Sequence, residues 1–88
     1  MKEIKNFEQF RGVCQSYIPS DKIVFKCFFS DGFDRYTCIL IGSEQPCVSF
    51  WTFQGIDRCE FKKDKDANPE TMSLFEGLEK LKELSYKE

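Results

Sequence analysis

Four short runs of β-type residues lie between residues 22 and 62, and three turn signals separate them. The runs are KIVFKCFFS, FDRYTCILI, PCVSFWTF and IDRCEFK. The intervening segments are Asp31-Gly32, Gly42-Ser43-Glu44-Gln45 and Gln54-Gly55. Short runs rich in aromatic and β-branched residues, bounded by Gly, Asp and Ser, are typical of antiparallel strands joined by tight turns. The pattern predicts a four-stranded antiparallel meander.

Helical periodicity flanks this meander on both sides. Near the start of the chain, Asn6 and Gln9 match a capping box, and near the end Asn68-Pro69-Glu70 matches the start of a helix. The apolar stripe of the first helix is Phe7, Phe10, Cys14 and Tyr17, and that of the second is Leu74, Phe75, Leu78, Leu81 and Ser85. The sequence predicts helices over about 6–17 and about 69–86. The predicted fold class is α+β, a single domain over 1–88 with the order α-β-β-β-β-α.

Turn chemistry fixes the expected register of the first three strands. A two-residue type I′ turn at Asp31-Gly32 and a second turn around Ser43-Glu44 set the pairs. The expected pairs are Ser30 with Phe33, Phe29 with Asp34, Cys27 with Tyr36, Phe25 with Cys38, Ile23 with Leu40, Leu40 with Cys47, Cys38 with Ser49, and Tyr36 with Trp51.

The third connection allows two registers. A three-residue loop with Gly55 in the left-handed conformation puts Cys59 and Phe61 on the inner face of the sheet. A two-residue Gln54-Gly55 turn puts Ile56 and Arg58 there instead. The first is the preferred prediction because it keeps the inner face apolar across all four strands.

These registers leave many apolar residues on the outer face, away from the helices. The expected outer face carries Val24, Phe28, Phe33, Ile39, Ile41, Val48 and Phe50, interrupted by Lys26, Arg35, Thr37, Thr52, Arg58 and Glu60. A sheet face in contact with water is normally more polar than this. Either a partner covers the outer face, or one terminal helix covers each face of the sheet.

Composition and charge narrow the function classes. Thirteen Lys and Arg residues stand against fifteen Asp and Glu, a net charge of −2. The chain therefore lacks both the basic excess of a typical nucleic-acid-binding protein and the strong acidity of a DNA mimic. No run is long enough for a transmembrane helix, and residues 1–11 are too polar for a signal peptide. Five widely spaced cysteines, an odd number, favour a reducing compartment, and we expect a cytoplasmic protein.

Histidine is absent, which excludes Ser-His-Asp and Cys-His catalysis and His-containing zinc sites within one chain. The expected register turns four cysteines inward, and Cys14 lies on the helix stripe that faces them. A buried free thiol behaves as a small hydrophobic side chain, and no CxxC pair is present. We therefore expect no catalytic residue, no metal site and no cofactor.

Two groups of acidic residues offer weaker alternatives. Asp64-Lys-Asp66-Ala-Asn68 matches the opening of an EF-hand calcium loop, but Pro69 replaces the required glycine and Phe75 the bidentate glutamate. The segment is instead expected to lead into a helix cap. Asp31, Asp34 and Asp57 are expected at the same end of the sheet, where turn formation is a commoner role for aspartate than catalysis.

The expected function is a non-enzymatic protein–protein interaction module, a small inhibitor or regulator that binds a protein partner or a second copy of itself. The predicted contact surface is Phe28, Phe33, Arg35, Ile39, Val48 and Phe50, since aromatic residues and Arg are enriched at interfaces. The alternatives are a small enzyme or metal protein using Asp or Cys groups, and a sheet that stacks single-stranded RNA. A phage or mobile-element origin is compatible with so short a chain, although no motif indicates it.

Overall fold

A computed structural model describes residues 4–42 and 46–86, which form one five-stranded antiparallel sheet and two α-helices. The sheet has the sequential strand order β1-β2-β3-β4-β5. The elements are α1 (Phe7–Gln15), a 3-10 turn (Ser20–Lys22), β1 (Ile23–Ser30), β2 (Phe33–Leu40), β3 (Cys47–Trp51), β4 (Cys59–Lys62), β5 (Glu70–Met72) and α2 (Leu74–Ser85). The predicted α+β class and the order of helices and strands are confirmed, and the sheet gains a fifth strand. No helix in the described ranges is long and apolar enough to cross a bilayer.

The β1–β2 hairpin has the predicted turn and register. Asp31 and Gly32 both have positive φ angles, 55° and 82°, as a type I′ turn requires. Ser30 pairs with Phe33, and the ladder continues to Ile23 opposite Leu40. The local turn signal was therefore sufficient to place every residue of these two strands on the correct face.

The predicted register of β3 was wrong by one residue. Cys38 pairs with Val48, not with Ser49, and Tyr36 pairs with Phe50, not with Trp51. Side chains alternate between faces along a strand, so this shift reverses the face of every residue in β3. Val48 and Phe50 enter the core, whereas Cys47, Ser49 and Trp51 turn outward. The turn predicted around Ser43-Glu44 lies outside the described residues.

The preferred face assignment of β4 is confirmed. Cys59 and Phe61 are buried on the inner face, and Gly55 has a left-handed φ of 78°. The connection itself is longer than the predicted three-residue loop, because β3 ends at Trp51 and β4 begins at Cys59.

Helix α2 begins later than predicted. Its N-cap is Ser73, whose Oγ accepts a hydrogen bond of 3.2 Å from the Glu76 N–H. Residues 70–72, predicted as the first helical turn, form β5 and pair with β4. Asn68 therefore precedes a strand and does not cap the helix. The Ser73-x-x-Glu76 spacing was a second, better cap signal in the sequence.

Both helices pack on the inner face of the sheet, so the alternative of one helix on each face is wrong. In α1, the Phe10 ring lies 5.6 Å from the Tyr36 ring and 6.2 Å from the Phe50 ring. In α2, Gly77 approaches β3 so closely that a β-carbon there would lie 3.3 Å from Val48 Cγ2. The predicted stripe of α2 is buried at Leu74, Leu78, Leu81 and Ser85.

Candidate functional site on the outer sheet face

The outer face of the sheet, opposite both helices, carries rows of cross-strand neighbours. The central row is polar and spans all five strands: Lys26, Thr37, Ser49, Glu60 and Thr71. On one side of this row the face is aromatic, and on the other side it is aliphatic. The polar row thus separates two chemically different surfaces.

The aromatic side is a cluster that we call the aromatic patch, made of Phe28, Phe33, Arg35, Trp51 and Phe53. The Phe33 and Phe53 rings lie 4.7 Å apart, and Phe53 lies 5.9 Å from Trp51. Despite these contacts the exposed fractions are 50% for Phe28, 45% for Phe33 and 56% for Phe53. The Phe33 and Phe53 rings are thus in contact with each other and also remain accessible.

Arg35 is held in place within the aromatic patch. Its guanidinium carbon lies 5.5 Å from the centroid of the Trp51 ring, within the range of a cation–π contact. Arg35 Nη2 donates a hydrogen bond of 3.2 Å to Ser49 Oγ. Arg35 Nε is buried and has no hydrogen-bond partner within residues 4–42 and 46–86. The guanidinium is therefore fixed in orientation while one of its donors is unpaired.

The centre of the outer face is buried even though it lies opposite the helices. Thr37 and Ser49 are both buried, and each is smaller than its neighbours Arg35 and Trp51 on the same face. Thr37 Oγ1 also has no hydrogen-bond partner in the described part of the chain. These two residues form a recessed floor between the aromatic and aliphatic sides.

The aliphatic side is a shallow depression of about 320 Å³ lined by Val24, Lys26, Ile39, Leu40, Ile41 and Gly42. Val24 and Ile41 are exposed on this side, and Ile39 is half-buried. Cys47 lies opposite Ile39. Apart from Lys26, the described lining residues carry no charge, so this side offers apolar contact.

Four of the five cysteine thiols are poorly suited to nucleophilic chemistry. Partial burial raises the pKa of the Cys47 thiol on the outer face, against the opposing effects of Lys62, Ser49 and Arg35. Burial together with Asp57 raises the pKa of Cys59 to about 12, and contact with Cys38 together with burial raises that of Cys14. Burial and Asp34 also raise the pKa of Cys27. Since the thiolate is the nucleophile, a raised pKa lowers reactivity at neutral pH.

The expected inward position of Cys47 was wrong, because Cys47 lies on the outer face of the sheet. Cys27 lies on the inner face as expected, but it is exposed.

Acidic residues do not assemble into a metal site in the part of the chain that the structure describes. No three His, Cys, Asp or Glu side chains there are placed to hold a metal ion. Asp31, Asp34 and Asp57 are accordingly not brought together as such a group. Asp64 Oδ1 accepts a hydrogen bond of 2.9 Å from the Asp66 N–H, which forms a local turn before β5.

Four of the six predicted contact residues lie on the outer face. These are Phe28, Phe33, Arg35 and Ile39. The outward placement of Val48 and Phe50 is wrong, because both are fully buried beneath the helices. The one-residue shift of β3 explains both errors.

Sequence reasoning missed Trp51, Phe53 and Ser49 as members of this surface. The run from Cys47 to Trp51 alternates Cys, Ser and Trp on one face with Val and Phe on the other. The indole N–H of Trp favours the face nearer to water, and Val with Phe is the more apolar set. A comparison of the polarity of these two sets of side chains therefore indicates the correct register of β3 from the sequence.

No protein-family model, curated protein or solved structure matches this chain.

Proposed function

We propose that this protein is a non-enzymatic interaction module that binds a protein partner through the aromatic patch. The role that fits so small a domain is that of an inhibitor or regulator acting by surface contact. The observation that carries the proposal is the exposure of Phe28, Phe33 and Phe53 on a sheet face that neither helix covers. Contiguous exposed apolar surface of this kind is characteristic of interaction sites.

The composition of the aromatic patch supports a protein partner. Phe, Trp and Arg are enriched at protein interfaces, and residues with large effects on affinity are often Trp, Tyr or Arg. Arg35 is already oriented by Ser49 and Trp51, and the Phe33 ring is already packed against Phe53. Fewer side chains then lose conformational freedom on binding, which favours affinity.

The arrangement also indicates the chemistry of the partner surface. The aromatic rings need an apolar counterpart, and the half-buried Arg35 guanidinium, which is cationic, favours a hydrogen-bond acceptor. A carboxylate or a main-chain carbonyl within an apolar patch supplies both. Because a charge-assisted hydrogen bond is stronger than a neutral one, a carboxylate is the preferred acceptor.

The two alternative functions, an enzyme that uses cysteine and a sheet that binds single-stranded RNA, have less support. An enzyme that uses cysteine needs a lowered thiol pKa, whereas the pKa values of Cys14, Cys27, Cys47 and Cys59 are all raised. A sheet that stacks RNA bases needs exposed aromatic rings, which are present, and a positive surface, which the net charge of −2 does not favour.

Two variants of the aromatic patch and one matched control test the proposal. Phe33→Asp and Arg35→Glu change the patch, whereas Tyr86→Asp changes an exposed aromatic residue at the end of α2. Each variant is first checked for folding by circular dichroism and then used to capture partners from native lysate. We expect the patch variants to lose a partner that the wild type and Tyr86→Asp retain.

Two outcomes of this experiment would contradict the proposal. Folded patch variants that retain every partner of the wild type would show that binding occurs elsewhere. A captured nucleic acid, with affinity that falls steeply as salt rises, would favour the RNA alternative.

A further inference from the structure

Strand β1 is an open edge of the sheet. The strand order β1-β2-β3-β4-β5 leaves β1 with one neighbour, and no other described strand pairs with its free side. At the opposite edge β5 is short, whereas β1 extends from Ile23 to Ser30. The long edge is therefore the one that offers a continuous row of unpaired main-chain groups.

The turn geometry identifies which residues present those groups. In a two-residue hairpin the residues that flank the turn form a hydrogen-bonded pair, here Ser30 and Phe33. Every second residue back from Ser30 therefore also bonds to β2. The Ile41 N–H donates to the Lys22 carbonyl at 2.9 Å, which agrees with this alternation. The N–H and C=O groups that point to the open edge are those of Ile23, Phe25, Cys27 and Phe29.

The β1 edge lacks most of the usual protection against pairing. Natural edge strands carry proline, several charges or a bulge, or they are short. The sequence IVFKCFFS contains no proline and a single charge, Lys26. Val24 and Phe28 are exposed on the outer face. Phe29 lies on the inner face of the sheet and is 74% exposed there.

We infer that β1 pairs antiparallel with β1 of a second copy, its partner, with the two-fold axis passing between the two Cys27 residues. The outward main-chain groups then meet, because Cys27 lies opposite the partner's Cys27 and Phe25 opposite the partner's Phe29. Phe29, which is 74% exposed, gains an aromatic neighbour across the interface. Residues 24–30 of each copy take part, which uses almost the whole strand.

Charge selects this register over its nearest competitor. A shift that centres the pairing on Lys26 places the two ammonium groups directly opposite each other, which is destabilising. Centring on Cys27 instead places Lys26 beside the partner's Phe28, where a cation–π contact is available. The sheets of both copies then join into one, with the two aromatic patches on the same side. This interface uses the strand edge and shares only Phe28 with the aromatic patch, so it goes beyond the proposed function.

A charge swap at Phe28, measured by sedimentation equilibrium on purified protein, tests the register. Phe28 is half exposed, so substitution leaves the core intact. Phe28→Glu faces Lys26 of the partner and is expected to form a dimer about tenfold tighter than Phe28→Lys, since each swap changes two symmetric pairs. General charge repulsion predicts the reverse order, because the chain carries a net charge of −2.

Disulfide trapping locates the axis independently. In a Cys47→Ser background, mild oxidation is expected to join Cys27 to Cys27 of the partner, two thiols losing two protons and two electrons to the oxidant. Opposed residues in an antiparallel pair have the Cα separation that a disulfide requires. Cys27→Ser in the same background is the matched control and is expected to give no covalent dimer.

Cys27→Pro separates edge pairing from other modes of association. It removes an outward N–H without removing a β1–β2 hydrogen bond, so a folded monomer is expected. The inference is overturned if the wild type stays monomeric at every accessible concentration. It is equally overturned if oxidation of the dimer gives no disulfide between the two Cys27 residues, or if Phe28→Lys dimerises as tightly as Phe28→Glu. The oligomeric state of the wild type and the Cys27 cross-link are measured on purified protein without alteration of the aromatic patch, so they are independent of partner capture.

Discussion

The Arg35 guanidinium lies over the Trp51 ring at 5.5 Å from its centroid, on the sheet face opposite both helices. The two residues are cross-strand neighbours on β2 and β3. Their contact exists only because β3 is paired in the register that turns Trp51 outward. The same register turns Phe50 inward, so one relationship defines both the candidate site and the core.

The Arg35–Trp51 contact predicts an energetic coupling between the two side chains. In a double-mutant cycle of Arg35→Ala and Trp51→Ala, we expect a coupling free energy of about 0.5–1 kcal/mol in chemical unfolding experiments. Two single effects that add to the double effect within about 0.3 kcal/mol would show that the residues do not interact.

The register of β3 predicts a strong contrast between two phenylalanines. Phe50→Ala removes a fully buried ring that packs on Phe10 and Tyr36, and we expect it to lower the free energy of unfolding by about 3–5 kcal/mol. Phe33→Ala removes a half-exposed ring, and we expect a cost below about 1 kcal/mol. Comparable costs at the two positions would contradict the register.

The first hairpin was predictable from sequence because its turn carries its own signal. Asp31-Gly32 specifies positive φ at two successive residues, and this fixes the pairing of both strands. The β2–β3 connection has no Asp-Gly or Asn-Gly dipeptide, and the turn assumed around Ser43-Glu44 gave a register that was wrong by one residue. The register of β3 depends instead on which side chains fill the core. A one-residue difference there exchanged Phe50 for Trp51 and moved two predicted contact residues into the interior.

Three of the five residues of the aromatic patch were therefore accessible from sequence. Phe28, Phe33 and Arg35 follow from the first hairpin, whereas Trp51 and Phe53 depend on β3 and on the loop after it. Burial of Thr37 and Ser49 was not predictable, because it results from the size of neighbouring side chains on adjacent strands.

The position of the α2 cap predicts different effects of two alanine substitutions. Ser73→Ala removes the acceptor of the Glu76 N–H, and we expect it to lower the free energy of unfolding by about 1 kcal/mol. Asn68→Ala lies before β5, and we expect an effect within about 0.5 kcal/mol. The reverse order would place the start of the helix at Asn68.

The buried thiol of Cys59 predicts a loss of stability at alkaline pH. Its pKa is raised from 9.0 to about 12 in the folded protein, so the unfolded chain releases the proton first as the pH rises. The stabilising contribution is fully present below pH 9.0 and is lost between 9.0 and about 12. Unfolding measured across this range should show a steeper decline for the wild type than for Cys59→Ala. Equal slopes would show that the thiol pKa is the same in both states.

Site-specific photo-cross-linking tests most directly whether the aromatic patch binds a protein. A benzophenone amino acid replaces Phe53 in one protein and Tyr86 in another, since both positions are exposed. We predict that irradiation in native lysate gives a discrete adduct with a second protein from position 53 and none from position 86. An adduct formed equally well from both positions, or only from position 86, would contradict binding through the outer face.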